Sequence, residues 1–166
     1  MSLSIIAAVG AKRELGKKGG LCFNIPNDMK FFRKTTMGHP VFMGLSTWYS
    51  LPGRLKGRDH YVAVFEKTDL PEFITQVTDI KAFAEEWAKK EEELFVIGGA
   101  SIYAQMLPYC DKLYLTEVEA EDPEAEVFFP RFNKRNYHRK TVGRNSDGDI
   151  SYKHVVYTKK SDHPEK

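Results

Sequence analysis

Two short apolar runs constrain the fold of this chain more than any other feature. Leu3–Val9 and Leu94–Ile97 have the length of β-strands, and neither alternates regularly between apolar and polar residues. A strand that is apolar on both faces is typical of the middle of a parallel sheet with helices on both sides. Parallel strands also need long crossover connections, which are usually helical. The two runs therefore predict an α/β fold in which both strands are central.

The other segments supply the remaining elements of such a fold. The region 10–23 is predicted to be a glycine-rich loop, and Asp147-Gly148 predicts the turn of a C-terminal hairpin. Asp79 and Ser46 are predicted to cap helices. Strands are predicted at 40–44, 60–65, 73–77, 112–119, 136–143 and 150–158, and helices at 26–36, 46–50, 79–90 and 101–107. We therefore expect an α/β single domain with a mostly parallel eight-stranded sheet, an antiparallel C-terminal hairpin and four flanking helices.

Length and composition narrow the classes of function. With 166 residues, the chain is predicted to form one domain over 1–160, followed by a polar C-terminal tail, 161–166. The formal charge of +2 gives no case for a nucleic-acid partner. Two cysteines do not make a disulfide scaffold, and no signal peptide or membrane span is visible, so a cytoplasmic protein is expected. The scattered histidines predict no metal site.

Asp28 is the first candidate for a catalytic or ligand-binding residue. It is the only carboxylate between Gly19 and Phe32, a stretch rich in apolar residues. Pro26 suits the first position of a helix, which places Asp28 in the first turn and Phe32 on the same face. An acid in an apolar pocket is costly unless a ligand pairs with it. The alternative is an ordinary carboxylate that stabilises the positive end of the helix dipole.

Two further motifs place glycine or hydroxyl residues between a strand and a helix. They are Met43–Thr47 and Val96–Tyr103, and both fall at the carboxyl ends of predicted strands. Ligands bind at this edge of an open α/β sheet, and free backbone N–H groups at a helix start favour phosphate. Two such motifs indicate a cofactor that contains a pyrophosphate. Simple turn chemistry is the alternative for each motif alone.

Taken together, these residues resemble the dihydrofolate reductase family, and the resemblance runs from Ile5 to about Tyr157. An Asp at the position of Asp28, where other members carry Glu, is typical of the bacterial type. The family motifs occur in order as Ile5-Ile-Ala-Ala8, Leu15-Gly16, Asn24-Ile-Pro-Asn-Asp28, Phe31-Phe32, Val41-Phe-Met-Gly44, Thr47-Trp48, Leu55-Lys-Gly-Arg58, Val96-Ile-Gly-Gly99, Ile102-Tyr103, Leu113-Tyr-Leu-Thr116 and Phe128-Phe-Pro130.

The resemblance implies a reaction and a substrate site. Hydride would pass from NADPH to C6 of 7,8-dihydrofolate, giving tetrahydrofolate for one-carbon and thymidylate metabolism. Asp28, supported by the Thr116 hydroxyl, would assist protonation of N5, with Leu21 and Phe23 nearby. Arg58 would bind the α-carboxylate of the glutamate tail, because its planar fork suits a carboxylate. The other implied substrate contacts are Ile6, Ala8, Phe32, Leu51, Leu55 and Ile97.

The resemblance also implies a cofactor site, a monomeric state and sensitivity to antifolate inhibitors. No metal is implied. The implied contacts of the nicotinamide cofactor are Ala8, Leu15, Gly16, Gly44, Leu45, Ser46, Thr47, Val64, Phe65, Glu66, Lys67, Ile97, Gly98, Gly99, Ala100, Ser101, Ile102 and Tyr103.

Two places depart from the family pattern. Cys22-Phe23 stands where the family usually has Pro-Trp, so the indole N–H that contacts the pterin through water is missing. Around the 2′-phosphate of the cofactor, the usual basic residues are replaced by Leu45, Val64-Phe65 and Ser101. Lys67 could still reach the phosphate. NADPH is therefore expected as the cofactor, with use of NADH as an alternative.

Two other functions remain open from the sequence. One is the related reductase of a ribosylated pyrimidine in riboflavin synthesis, which lacks the surroundings of Asp28 and the Arg58 clamp. The other is a folate-binding protein with impaired catalysis, because Phe23 and the altered phosphate site are departures from the family.

Overall fold

Both apolar runs lie in the middle of the main sheet. The computed structural model of the protein describes residues 3–18 and 20–160. Gly19 of the predicted glycine loop and the predicted tail 161–166 lie outside the described residues. The strands are β1 (Leu3–Val9), β2 (Glu14–Lys17), β3 (Gly20–Leu21), β4 (Val41–Gly44), β5 (His60–Ala63), β6 (Ile74–Val77), β7 (Leu94–Gly98), β8 (Lys112–Val118), β9 (Val127–Phe128), β10 (Tyr137–Asp147) and β11 (Ile150–Lys159). The helices are α1 (Pro26–Thr36), α2 (Leu45–Ser50), α3 (Ile80–Trp87) and α4 (Ala100–Met106), with short 3-10 turns at Leu107–Tyr109 and Lys134–Asn136.

The main sheet has eight strands in the order β10-β11-β8-β1-β7-β4-β5-β6. The strands from β8 to β6 pair in parallel, whereas β11 pairs antiparallel with both β8 and β10. Leu3, Ile5 and Leu94 are completely buried. Such burial is expected for strands with neighbours on each side and side chains covered on both faces. The predicted α/β fold, with its C-terminal hairpin, is therefore confirmed.

Helices α3 and α2 begin in different ways, the first with a side-chain cap and the second without one. Asp79 accepts a hydrogen bond from the Ala82 backbone N–H at 3.0 Å, so the predicted cap of α3 is confirmed. The prediction of Ser46 as a cap is wrong, because α2 begins at Leu45 directly after the strand and Gly44 holds the N-cap position without a side-chain cap. Extended backbone at the end of β4 runs straight into the helix, which leaves no room for a capping turn. Among the described helices, none is long and apolar enough to cross a membrane.

A second, three-stranded sheet lies where the sequence predicted only a loop. Its order is β3-β2-β9, and both pairings are antiparallel. Backbone bonds extend this contact: Phe129 N–H donates to Arg13 O, and Glu126 N–H donates to Gly16 O, both at 2.8 Å. The segment between β1 and α1 is therefore tied to the segment before residue 130.

Glu14 is the buried acid that joins these two segments. It is 2% exposed, and its two carboxylate oxygens accept from the backbone N–H groups of Lys12 at 2.8 Å and Asp122 at 2.9 Å. Gly10 makes room for it, because a Cβ there would lie 2.3 Å from Glu14 Oε1 and 2.7 Å from the Phe23 ring. Burial alone would raise the pKa of Glu14, but these backbone donors outweigh it and hold the pKa below its ordinary value.

We expect Glu14→Gln to lower the free energy of unfolding at pH 7 by about 1–3 kcal/mol, because an amide cannot accept from both N–H groups. The pKa of Glu14 is lower in the folded protein than in the unfolded chain. Its stabilising effect is therefore complete above the ordinary glutamate pKa of 4.5 and is lost as the pH falls through the folded pKa. The difference between wild type and variant should therefore shrink in acid. Urea unfolding at a series of pH values measures this.

Glu85→Gln, on an exposed position of α3, is the matched control. Equal stability losses in the two variants, or a difference that does not change with pH, would contradict this role of Glu14.

Candidate active site

A cleft opens at the carboxyl ends of the central strands. Its volume is about 790 Å³, in the range of pockets that bind small ligands. It runs between α1 on one side and the turns that follow β4 and β7 on the other. Of the predicted site residues, the following line it: Ile6, Ala8, Leu15, Gly16, Leu21, Asp28, Phe32, Gly44, Leu45, Ser46, Thr47, Leu51, Ile97, Gly98, Gly99, Ala100, Ser101, Ile102, Tyr103 and Thr116.

A second cavity, of about 650 Å³, lies beside β8 and contains none of the predicted site residues. Both of its carboxylates already have partners. Glu117 accepts from Arg139 at 2.7 Å and from the Tyr157 hydroxyl at 2.5 Å, and Lys153 lies 3.6 Å from Glu119. The first cleft is therefore the better candidate for the functional site.

Asp28 lies over a row of residues that three strands hold in register. Ala8 on β1 pairs with Thr116 on β8, and Thr116 pairs with His154 on β11. Side chains that are directly opposite each other in an antiparallel pair point to the same face of the sheet. Thr116 and His154 therefore both point at α1, whose first turn carries Asp28.

Both side chains bind the same oxygen of that acid. Thr116 Oγ1 donates to Asp28 Oδ1 at 2.5 Å, and His154 Nε2 lies 3.2 Å from Oδ1. The Asp28 side chain is 17% exposed and that of His154 is 13% exposed. Among the described residues, no hydrogen bond reaches Oδ2. The carboxylate is therefore held through one oxygen, and the other is free to bind a ligand.

His154 was not predicted as a site residue. It is 126 positions from Asp28 and occurs in a strand without a recognisable motif. Only the register of the hairpin against β8 would have indicated it. His154 contacts Asp28 but does not itself line the cleft. The residues that line the cleft and were not predicted are Ala7, Lys17, Gly20, Met29, Phe31, Ser50, Pro52, Ala63, Glu126 and Val127.

The two glycine motifs form the opposite wall of the cleft. Gly98 has φ of +134°, a conformation open to glycine, and the peptide bond between Gly98 and Gly99 is cis. Neither α2 nor α4 has a side-chain cap, so backbone N–H groups of their first turns remain available. Tyr103 supports this wall by donating its hydroxyl to Ile6 O at 2.8 Å. Burial, followed by the charge of Asp28, raises the pKa of Tyr103, so the hydroxyl remains a donor.

Arg58 lies at the far end of α1 and is 6% exposed. Its guanidinium donates to Thr36 Oγ1 at 2.9 Å, Lys56 O at 2.7 Å and Arg33 O at 3.1 Å. Burial, followed by the charge of Arg33, lowers the pKa of Arg58, although a guanidinium remains charged at neutral pH. Among the described residues, no carboxylate lies within 4 Å of it. Arg58 is therefore a buried cation without an anionic partner.

The other predicted residues lie outside the wall of the cleft. Phe23 packs in a cluster with Ile25, Val118 and Tyr152, and the cleft does not reach it. Leu55 packs against the hydrophobic cluster below the cleft. Its backbone N–H donates to His60 Nε2 at 3.1 Å.

The segment after β5 was predicted to meet the 2′-phosphate. Val64 is buried, Phe65 is 98% exposed, and Glu66 and Lys67 are also exposed. None of these four residues lines the cleft. Ser101 does line it, and it accepts a hydrogen bond from Gln105 Nε2 at 3.0 Å.

Cys22 also lies outside this wall. Burial, followed by the charge of Asp122, raises the pKa of its thiol, which favours the unreactive protonated form. Within the described ranges, no group of three metal-ligating side chains occurs.

The fold and the cleft together define an α/β protein that holds one acid in the first turn of α1, opposite two glycine turns. A buried arginine from the loop before β5 is bound to the far end of that helix. Comparison with known proteins is consistent with this class. The model of the dihydrofolate reductase family matches residues 2–160. The chain is 32% identical to the dihydrofolate reductase of Bacillus subtilis over 164 residues, which cover 96% of this chain and 95% of the relative.

Two further relatives come from different lineages. The chain is 33% identical to dihydrofolate reductase HdrB of Haloferax volcanii, with 94% of this chain and 82% of the relative covered. It is 31% identical to the dihydrofolate reductase of Neisseria gonorrhoeae, with 95% and 98% covered. The chain belongs to the dihydrofolate reductase family.

Proposed function

We propose that this protein reduces 7,8-dihydrofolate to 5,6,7,8-tetrahydrofolate with a hydride from NADPH. The observation that carries the proposal is the geometry of Asp28, which is bound through Oδ1 and leaves Oδ2 free at the base of the cleft. A heterocycle with adjacent N–H donors is the kind of ligand that a partly buried carboxylate binds. Family membership connects this geometry to dihydrofolate.

In this proposal the protein orients the substrate and supplies a site for proton delivery. Asp28 binds the pterin and assists protonation at N5, while Thr116 holds the carboxylate in place. Phe32, Leu51 and Ile6 form apolar walls that exclude water from the ring. NADPH, when bound, would supply the hydride, and the residues of the cleft would orient the substrate ring and exclude water from it.

The surroundings of Arg58 support a substrate with a carboxylate tail. A buried cation without a counter-ion is unfavourable, and an anionic ligand removes that cost. Three of its five N–H groups are used by protein acceptors, which leaves two for a ligand. Thr36 and Arg33 keep the guanidinium at the end of α1, away from Asp28. An elongated substrate could then bind Asp28 with its ring and Arg58 with its tail.

The cofactor assignment depends on the glycine turns. Their uncapped helix starts fit the phosphates of a dinucleotide, and Leu15 and Gly16 lie on the same cleft. The region proposed for the 2′-phosphate offers Ser101 and the exposed Lys67, but Glu66 next to it would repel that group. We assign NADPH as the cofactor, and NADH is the alternative.

The first test compares dihydrofolate-dependent oxidation of NADPH and NADH as kcat/KM. The proposal expects turnover with NADPH. A preference for NADPH by about tenfold or more would assign the 2′-phosphate contact to the remaining polar residues, whereas equal values would favour the NADH alternative. Binding of dihydrofolate without turnover of either cofactor would contradict the proposal and favour a folate-binding protein.

The second test is Asp28→Asn, which keeps the shape of the side chain and removes its charge. We expect a fall of about tenfold or more in turnover at pH 7, because the amide cannot assist protonation of N5. Asp69→Asn, at an exposed position, is the matched control. Turnover within about threefold of wild type, with unchanged thermal unfolding, would remove Asp28 from this role.

The third test is Arg58→Lys. A lysine cannot form two parallel bonds with a carboxylate, so KM for dihydrofolate should rise by about ten- to a hundredfold with little change in kcat. Steady-state kinetics with a reduced pterin that lacks the glutamate tail is the internal control, since its KM should not change. Arg54→Lys is the matched variant, because Arg54 lies 4.4 Å over the exposed side of Phe73. An equal rise in KM for both substrates would mean that Arg58 only supports the fold.

A further inference from the structure

Among the residues that the structure describes, His154 is the one titratable side chain that binds the candidate catalytic acid. It extends from β11 in register with Thr116 on one side and with Gly143 on the other. Its Nε2 lies 3.2 Å from Asp28 Oδ1, the oxygen that also accepts from Thr116. Both side chains are more than four-fifths buried. Water therefore screens this contact less than it would a contact on the surface.

The ring of His154 is held in place by its neighbours. It stacks on Phe31 of α1 with centroids 3.8 Å apart and planes 8° apart. Tyr152, on the same strand, meets it edge-on at 5.5 Å. This arrangement keeps the plane of the imidazole fixed and directs Nε2 at Asp28. The orientation of the imidazole is therefore set by packing as well as by the hydrogen bond.

The groups that face the His154 imidazole determine which hydrogen bonds and ion pairs it can form. Asp28 faces it from α1, the Thr116 hydroxyl from β8, the Tyr152 ring from β11 and the backbone of Gly143 from β10. Among the described residues, Asp28 is the only charged group within hydrogen-bond distance. A Cβ added at Gly143 would lie 3.8 Å from His154 Nδ1, so glycine leaves that nitrogen without a side chain against it.

We propose that His154 is a positioning residue that orients Asp28 and couples its charge to the pH. This inference deepens the proposed function and rests on it. A neutral imidazole with its proton on Nε2 donates to Oδ1, and a protonated imidazole makes the same bond as an ion pair. In both forms, Thr116 and His154 together hold Oδ1, so Oδ2 faces the cleft.

The two protonation states differ in their effect on a ligand. With a neutral imidazole, the pair carries the full negative charge of Asp28. With a protonated imidazole, the pair has no net charge, and its attraction for a positively charged ring is weaker. The charge that the pair presents to a ligand therefore depends on the protonation state of the imidazole.

Two substitutions separate the hydrogen bond from the charge. His154→Phe keeps a ring to stack on Phe31 but removes the donor, whereas His154→Gln keeps an N–H near the position of Nε2 but cannot titrate. We expect kcat/KM for dihydrofolate at pH 8 to fall by about tenfold in the Phe variant and to stay within about threefold of wild type in the Gln variant. His138→Gln, at an exposed position of β10, is the matched control.

The pH profile supplies a readout that a purely structural role would not change. The pH profiles of both His154 variants should differ in shape from those of wild type and His138→Gln, because neither Phe nor Gln at this position can be protonated. Profiles of the same shape in all four proteins would overturn the coupling. Loss of activity in the Phe variant that the Gln variant does not restore would overturn the positioning role.

A titration by NMR tests the contact without turnover. The His154 imidazole signals are followed against pH in wild type and in Asp28→Asn. The contact predicts that the curve of His154 signals differs between the two proteins, because the Nε2 atom faces an amide instead of a carboxylate oxygen in the variant. Coincident curves would overturn the inference. If wild type shows no turnover but the curve moves, the proposed function fails while the contact between His154 and Asp28 stands.

Discussion

The site depends on one constraint, which is the register of β1, β8 and β11 beneath the first turn of α1. Ala8, Thr116 and His154 form a row only because each strand pairs with its neighbour at one offset. A slip of one residue would turn Thr116 or His154 to the opposite face of the sheet, and Asp28 would lose its partner. The hydrogen-bond partners of the Asp28 carboxylate are therefore determined by pairing between strands that are far apart in the chain. The local sequence around Asp28 supplies only the helix that carries it.

That helix is held at both ends by distant residues. Ile25 provides no side-chain cap, but the carboxylate of Asp147, in the hairpin turn, accepts from the Asn27 backbone N–H at 3.3 Å and from its side-chain amide at 2.5 Å. At the other end, Thr36 accepts from Arg58. Asp28 and Thr36 are eight residues apart, which is about 12 Å along a helix. One rigid element therefore sets the distance between the free carboxylate oxygen and the buried guanidinium.

The parts of the fold that could be predicted are those with a strong local signal. The apolar run at 3–9 and the Asp147-Gly148 turn predict the central strand and the hairpin because periodicity and turn chemistry act over a few residues. The three-stranded sheet was missed because a two-residue strand such as Val127–Phe128 has no periodicity. His154 was missed for another reason: its role comes from register across the hairpin, which no local pattern encodes. One of the two backbone partners of Glu14, the Asp122 N–H, also comes from a segment more than 100 residues away.

The two walls of the cleft differ in how much a substitution can disturb them. On the side of the glycine turns, backbone groups at the ends of β4 and β7 line the cleft, and the exposed Phe65 and Lys67 lie beyond the wall. Exchanges at these two exposed positions leave the sheet unchanged. On the acid side, a single carboxylate oxygen binds two side chains from two strands, so a change in either one alters the surroundings of the acid. A substitution at Phe65 therefore disturbs the cleft less than one at Thr116.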